Sequence, residues 1–299
     1  MEVLSANQVD IPETSAHYAF MNQKDLHQAQ LPLRKVDKDF FAEHGFLYIK
    51  KLYPESIFKS LLEEISKVIA LIGEREGCSV VSFDSKEFDR GLKELLQKDR
   101  KLGGLIYEVV KKLPAHIQLA SHPVHNEVCK MLMNMRFPGF AARGWGLRMD
   151  HPSEDTFLTQ LHQDYVSQLG SSRGLVFWTP LRFVDALLGP LVIFPGSHKQ
   201  GVFPINVRGK GSEGLQIADE PSVRAQFKSI CPEVADGDTV VMDYMTLHES
   251  SPNRSTNTRW SLISRYFEFQ DPVGRKIGWA GGIQEGSSFE ELFPELVKN

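Results

Sequence analysis

Two histidines and one aspartate in the second half of the chain could hold a metal ion. His162 and Asp164 are two residues apart in the segment LHQD, and His248 lies in the segment LHES. In a strand, side chains at i and i+2 leave on the same face, so His162 and Asp164 can point into one cavity. His248 ends the strand-like run 238–248 and is the candidate third ligand. Two histidines and one carboxylate leave three metal positions open, as in non-heme Fe(II) oxygenases.

Other histidines compete with this set, because a chain with ten histidines contains such pairs by chance. His125 and Glu127 have the same spacing, but they fall in a helical pattern, where residues two apart diverge by about 200°. His151 and His198 lie near the motifs and could also bind a metal, although neither has a carboxylate two residues further on. A surface or supporting role is the alternative for both.

Arg259 follows His248 by eleven residues and is a candidate for binding an anionic cosubstrate. Period-two geometry places Arg259 and Ser261 on one face of the run RWSLISRYFEF. An inward arginine needs a partner, because an unpaired buried charge is costly. A dicarboxylate offers one that the guanidinium fork binds bidentately, and Ser250 and Ser261 could add hydroxyl donors. An internal Arg–Asp pair or a solvent-facing arginine is an equally good interpretation of the pattern.

The elements that must position these residues change character near the middle of the chain. Before residue 137, apolar residues recur at helical spacing, which predicts helices at 54–72 (with Gly73 as its stop), 86–97, 105–113 and 124–135. After it, short β-type runs are bounded by Gly, Pro and Asp, at 174–184, 191–194, 238–248 and 259–269. Strands separated by turns rather than helices favour an antiparallel sandwich or barrel.

Composition narrows the class of protein. The 299 residues, 41% hydrophobic and 24% charged, are those of an ordinary globular protein. A net charge of −4 with scattered basic residues predicts no nucleic-acid or membrane-surface partner. Three cysteines without a CxxC pair, and no recognisable signal or spanning segment, predict a cytoplasmic protein. We interpret 1–36 as a polar N-terminal arm and 37–299 as one domain with helical support in 54–135.

These motifs together resemble the phytanoyl-CoA dioxygenase family of Fe(II)/2-oxoglutarate oxygenases. The resemblance covers about residues 38–270 and rests on LHQDY, WTPL, GPLVIFPGSHK, DGDTVVMD, LHESSPNRS and RWSLISRY. The segment FFAEHGFLYIKKLYPESIFKSLLEEI at 40–65 is similar to the opening helix and strand of that family. The resemblance implies a mainly β fold with flanking helices, a double-stranded β-helix of the jelly-roll, cupin-like type.

Roles for the candidate residues also follow from the resemblance. It implies Fe(II) ligation by His162, Asp164 and His248. It further implies that Arg259 and Ser250 hold the distal carboxylate of 2-oxoglutarate, with Ser261 as a weaker member of that clamp.

Two further residues are assigned to the surroundings of the pocket. Arg148 matches a basic position found near the pocket in similar sequences, where it would contact cosubstrate, substrate or only Asp150. Gln160 shares the parity of His162 and could reach the pocket, with simple packing as the alternative.

The implied reaction is hydroxylation of an unactivated C–H bond in a small molecule, with O2 as oxidant and 2-oxoglutarate converted to succinate and CO2. Asp164 favours hydroxylation, or a related oxidation such as desaturation, because similar halogenating enzymes have a small residue there. The alternative is a cupin-type metal protein, catalytic or not, that does not use 2-oxoglutarate. The sequence leaves the substrate open among acyl-CoA chains, amino-acid derivatives, sugars and natural-product intermediates, and it leaves the oligomeric state open.

Overall fold

Helices dominate the first half of the protein in the computed structural model, which describes residues 18–141, 145–207, 215–279 and 289–298. The helices of this half are α1 (Lys35–His44), α2 (Glu55–Glu76), α3 (Phe88–Lys98), α4 (Leu102–Val110), α5 (Pro114–Ala120) and α6 (Val124–Met133). Shorter helices follow, α7 (Asp164–Gln168), α8 (Glu220–Gln226), α9 (Pro272–Lys276) and α10 (Phe289–Leu292). Within the described ranges, no helix is both long enough and apolar enough to cross a bilayer.

The strands form two main sheets, a larger and a smaller one, and a third sheet of three strands. They are β1 (Ala19–Met21), β2 (Gln28–Ala29), β3 (Phe46–Ile49), β4 (Pro138–Phe140), β5 (Gly146–Asp150), β6 (Gly174–Pro180), β7 (Leu191–Ile193), β8 (Ile205–Val207), β9 (Leu215–Ile217), β10 (Ile230–Pro232), β11 (Thr239–Asp243), β12 (His248–Ser250), β13 (Arg259–Glu268) and β14 (Val297–Lys298). The larger sheet has the order β2-β3-β11-β6-β13-β4, with β5 also paired to β13. The smaller sheet is β1-β10-β7-β12, and the third is β14-β8-β9.

Alternation along the strands of the larger sheet divides the core into two layers. On β13, Trp260 and Leu262 point towards the helices and join their apolar cluster, whereas Ile263 belongs to the cluster between the two main sheets. The same alternation places Leu47 of β3 in the helical layer and Phe46 between the sheets. The predicted faces of β13 are therefore observed, and the face that carries Arg259 looks into the space between the sheets.

The longest helix, α2, extends beyond its predicted end. Leu61, Ile65 and Ile69 follow one another at four-residue spacing and are fully buried. Gly73 was expected to stop the helix, but α2 continues to Glu76 and ends at Gly77, whose φ is +69°. Gly73 serves packing instead, since a Cβ there would lie 2.8 Å from the carbonyl oxygen of Cys78.

The sequence pattern predicts one strand over 238–248, but the structure divides this run between two strands. β11 ends at Asp243, whose carboxylate accepts a hydrogen bond from the Met245 amide (2.8 Å), while its carbonyl accepts one from the Thr246 amide (2.9 Å). This turn carries the chain out of the larger sheet and into the smaller one. His248 therefore opens β12 of the second sheet rather than ending a strand of the first.

The described part of the N-terminal arm adds an edge strand to each main sheet. β1 pairs in parallel with β10 of the smaller sheet, and β2 pairs in parallel with β3 of the larger one. The polar segment 205–230 contains β8, β9 and α8, with 208–214 outside the described residues.

The corner between α1 and β3 supports the turn that delivers His248. Gly45 ends α1 with a φ of +76°, and its carbonyl accepts hydrogen bonds from the Asp243 amide (2.9 Å) and the Thr246 hydroxyl (2.8 Å). A Cβ at this position would press against the side chains of His198 and Thr246. Glycine suits position 45 for two reasons: the backbone there is left-handed, and a Cβ would be too close to the neighbouring side chains.

Gly45→Ala should therefore destabilise the protein more than Gly77→Ala. At Gly77 only the left-handed φ resists a methyl group, because the nearest atom to a Cβ is Lys98 Nζ at 4.0 Å, so we expect a loss of about 1 kcal/mol. At Gly45 the steric conflict adds about 1–3 kcal/mol. Urea unfolding of both variants measures the difference, and equal losses would mean that the corner is not tightly packed.

Candidate metal centre

The structure brings the three predicted ligands together. One ligand atom from each of His162, Asp164 and His248 lies within 4.8 Å of the other two. The backbones of His162 and His248 pair as an antiparallel bridge, with reciprocal N–H to carbonyl hydrogen bonds of 3.1 Å. The histidines therefore meet because the segment before α7 runs alongside β12.

The local geometry of His162 and Asp164 differs from the expected strand. Asp164 is the first residue of α7, and His162 pairs with β12 through an isolated bridge rather than as part of a strand. The two side chains still converge because Gln163 between them is extended, with φ −114° and ψ 135°. The i, i+2 argument thus holds for this single residue pair, although the predicted strand is wrong.

Backbone carbonyls orient both imidazoles. His162 Nδ1 lies 2.8 Å from the Gln160 carbonyl, and His248 Nδ1 lies 2.9 Å from the Thr246 carbonyl. A carbonyl oxygen only accepts, so each Nδ1 donates its proton to a carbonyl and each Nε2 is the nitrogen left to face a metal. Metal-binding histidines ordinarily make such a hydrogen bond with the ring nitrogen that does not bind the metal.

Asp164 completes the donor set with an oxygen that has no protein partner. Its side chain is 1% exposed, and Oδ2 forms no hydrogen bond, although it lies 3.5 Å from His248 Nε2. Burial raises the pKa of this carboxyl, but Arg265 and the two histidines outweigh burial and lower the pKa to about 2. An ionised buried oxygen without a partner is costly. A metal cation fits this position, because two imidazole nitrogens and one carboxylate oxygen face it.

His162 is held in the neutral form that metal binding requires. Burial, assisted by His248, lowers the pKa of His162 to about 3 despite the opposing effect of Asp164. Protons therefore do not compete for its Nε2 near neutral pH.

The other candidate histidines make separate contacts. His125 lies in α6, fully buried, with Nε2 2.8 Å from the Tyr53 hydroxyl, while Glu127 is exposed. His151 Nδ1 lies 2.9 Å from the Thr258 hydroxyl, and His198 Nε2 lies 3.2 Å from the Ala42 carbonyl. Among the residues that the structure describes, only the His162, Asp164 and His248 group has metal-binding geometry.

Arg259 is an internal arginine, so the solvent-facing interpretation is wrong. Its side chain is 2% exposed, with Nη2 2.8 Å and Nε 3.1 Å from Asp150 Oδ2, and Nη1 donates to the Gly189 carbonyl. Arg148 binds the same carboxylate through Nε at 2.9 Å and Nη2 at 2.7 Å, and also contacts Thr159 and the Phe157 carbonyl. Asp150 thus bridges two arginines, and the trio carries one net positive charge.

The remaining predicted residues occupy different positions around this trio. Ser261 is fully buried, and its hydroxyl has no hydrogen-bond partner. Ser250 ends β12, half-buried, opposite Leu191 of β7. The Gln160 side chain is exposed and donates to the Leu158 carbonyl at 3.4 Å. This corrects the expectation for Gln160, whose main-chain carbonyl, and not its amide, supports the site.

One residue of the site, Arg265, was not among the residues predicted from the sequence. Arg265 contacts Asp164 Oδ1 with Nη2 at 2.8 Å and Nε at 3.0 Å. Arg265 is an even number of residues from Arg259 on β13, and this spacing indicates that both side chains lie on the same inward face. The contact of Arg148 with Asp150 and an internal Arg–Asp pair for Arg259 were both among the alternatives from the sequence. That one aspartate serves both arginines depends on β5 pairing with β13 in the register Asp150 opposite Arg259.

Comparisons with known proteins match most of the chain. The family model described as Phytanoyl-CoA dioxygenase (PhyH) matches residues 41–261. The human peroxisomal phytanoyl-CoA dioxygenase is 23% identical over 250 residues, 78% of this chain and 68% of that protein. The 1-deoxypentalenic acid 11-beta-hydroxylase of Streptomyces arenae is 24% identical over 278 residues, 87% of this chain and 86% of that protein.

Solved structures confirm the jelly-roll, cupin-like fold. The epimerase SnoN in complex with Fe3+, alpha ketoglutarate and nogalamycin RO has a TM-score of 0.55 and 16% identity, covering 85% of this chain and 91% of that one. EctD from S. alaskensis with bound Fe has a TM-score of 0.54 and 15% identity, covering 81% and 80%.

Metal binding should depend on His162 and not on His198. We expect His162→Ala to abolish measurable Fe(II) binding, because it removes one of three converging ligand atoms. His198→Ala is the matched control, since His198 is also half-buried but lies outside the group. Anaerobic calorimetric titration with Fe(II) measures both, and equal effects of the two substitutions would contradict the assigned centre.

Buried neutral histidines should make the fold sensitive to acid. Burial lowers the pKa of His125 to about 3 and that of His116 to about 4. Unfolding releases each histidine to its ordinary pKa near 6.5, so the unfolded state gains protons first. Above about pH 6.5 these histidines do not lower the free energy of unfolding. Below that pH, each lowers it by about 1.4 kcal/mol per pH unit.

His125→Gln should remove one such contribution while keeping an acceptor for Tyr53. Between pH 7 and pH 5, the unfolding free energy of the variant should therefore decrease less steeply than that of the wild type. The difference corresponds to about one fewer proton taken up on unfolding. Urea titrations at both pH values test this, and parallel pH profiles would refute it.

Proposed function

The chain belongs to the phytanoyl-CoA dioxygenase family, and we propose that His162, Asp164 and His248 are its Fe(II) ligands. As a member of the family it is an Fe(II)- and 2-oxoglutarate-dependent dioxygenase. The observation that carries the ligand assignment is the buried Asp164 Oδ2, which has no hydrogen bond and lies 3.5 Å from His248 Nε2.

Arg259 and Ser250 are the proposed anchor for the distal carboxylate of 2-oxoglutarate, with Ser261 beside them. Arg259 is buried beside Asp150, which the half-buried Arg148 also contacts, and a guanidinium fork is the group that binds a carboxylate bidentately. The unpartnered Ser261 hydroxyl lies two residues from Arg259 on the same inward face and offers a further donor. Arg148 supports the anchor through Asp150, and the Gln160 carbonyl supports His162.

The reaction that this arrangement serves is hydroxylation of an unactivated C–H bond, with 2-oxoglutarate converted to succinate and CO2 and O2 consumed. Bound iron and 2-oxoglutarate supply the oxidising chemistry. The residues of the chain bind and orient. The imidazoles are fixed by main-chain carbonyls, the carboxylate by Arg265, and the inward face of β13 is closed to solvent at Arg259. No side chain is assigned as a general base, since the hydroxylation does not require one.

A small molecule is the proposed substrate, without further assignment among the classes that the sequence leaves open. The net charge of −4 and the scattered basic residues support the absence of nucleic-acid and membrane partners. Cys129 and Cys231 are buried free thiols, which supports a reducing, cytoplasmic location.

Arg259→Gln should weaken 2-oxoglutarate binding without removing the metal. Loss of a charge-assisted contact predicts a dissociation constant about 10- to 100-fold higher for 2-oxoglutarate. Anaerobic titration of the Fe(II) protein, followed by the visible charge-transfer absorption of iron-chelated 2-oxoglutarate, measures this constant. Arg100→Gln is the control, because Arg100 also pairs with a carboxylate, Glu154, outside the anchor.

Two outcomes of this titration would count against the proposal. Unchanged affinity in Arg259→Gln would remove Arg259 from the anchor. Bound Fe(II) without the absorption band in the wild type would favour a cupin-type metal protein that does not use 2-oxoglutarate.

A further inference from the structure

Arg265 is the only described arginine that contacts a proposed metal ligand through an ion pair. It projects from β13 of the larger sheet, across the space between the sheets, to Asp164 at the start of α7. Nη2 at 2.8 Å and Nε at 3.0 Å both meet the same oxygen, Oδ1. The Arg265 side chain is 16% exposed and that of Asp164 is 1% exposed, so this contact is well shielded from water.

The two oxygens of Asp164 are consequently unequal. Oδ1 receives two N–H groups of a guanidinium that stays charged at any relevant pH. Oδ2 receives no hydrogen bond and lies 3.5 Å from His248 Nε2. The carboxylate cannot rotate to exchange its oxygens without breaking a shielded, charge-assisted contact.

We infer that Arg265 is a positioning residue that reserves Asp164 Oδ2 for the metal and restricts the carboxylate to one ligand atom. This inference rests on the proposed function and adds to it a reason why three coordination positions stay open. A carboxylate that bound through both oxygens would take a fourth position, which a chelating keto acid and O2 need. Arg265 also holds Oδ2 in place before the metal arrives, so metal binding requires no rearrangement of this ligand.

The sign of the effect on metal affinity separates orientation from charge. Removing a positive charge from beside a dication would, by Coulomb's law alone, strengthen metal binding. Loss of an orienting partner acts in the opposite direction and weakens affinity about 10- to 100-fold at typical metal sites. Weaker binding in a variant without the guanidinium therefore reports lost orientation.

The test is anaerobic Fe(II) titration of Arg265→Leu and Arg265→Lys, each followed by addition of 2-oxoglutarate. We expect the dissociation constant of Fe(II) to rise about 10- to 100-fold in Arg265→Leu and by less in Arg265→Lys, which keeps a donor. The charge-transfer band should also shift in wavelength in Arg265→Leu, since the coordination by Asp164 changes. Arg182→Leu is the matched control, because Arg182 is 20% exposed and pairs with Asp89, outside the metal group.

Each outcome decides between the possibilities. Unchanged or tighter Fe(II) binding in Arg265→Leu, or equal weakening in Arg182→Leu, would overturn the positioning role. An unshifted band would overturn the restriction to one ligand atom. These failures differ from failure of the proposed function, in which the wild type itself would bind no Fe(II), or would bind it equally well after His162→Ala.

Discussion

The buried charge of Asp164 is the constraint on which the centre depends. A carboxylate that is 1% exposed must be compensated by nearby groups, and the chain provides the charged Arg265 on one side and two imidazole nitrogens on the other. These partners come from three separate parts of the sequence. The two main sheets must therefore close upon each other before this charge has a stable environment.

The geometry of the centre follows from how the chain changes sheets. β11 belongs to the larger sheet and β12 to the smaller one, and the turn after Asp243 takes the chain between them. Gly45 holds this turn from the opposite side through its carbonyl. His248 then pairs with His162 along the edge of β12, so main-chain hydrogen bonds set the distance between the two imidazoles.

A second buried electrostatic network lies beside the metal centre. Asp150 accepts from both Arg148 and Arg259, and burial of such a trio is favourable only when each charge keeps its partners. Ion pairing outweighs burial and keeps the pKa of Asp150 below its ordinary value. These ion pairs are therefore already formed within the protein itself.

Much of this protein was determined by sequence alone. The types and spacing of His162, Asp164 and His248 predicted the donor set, and period-two alternation predicted the inward face that carries Arg259 and Ser261. The alternation depends on local backbone geometry, which a few consecutive residues fix, whereas the distant His248 was a candidate by residue type and by its place at the end of a strand-like run. The helical first half and β-rich second half were predicted for the same reason.

Only the tertiary structure decided which partners meet. The pairing of Arg265 with Asp164 and of Asp150 with Arg259 depends on sheet register and on the closure of two sheets, and neither is encoded in local spacing. The end of β11 and the start of α7 were also decided by contacts distant in sequence, such as that of Gly45 with the 243–246 turn. Local sequence patterns identify the chemical groups of the site, whereas long-range packing determines which charged residues each group contacts.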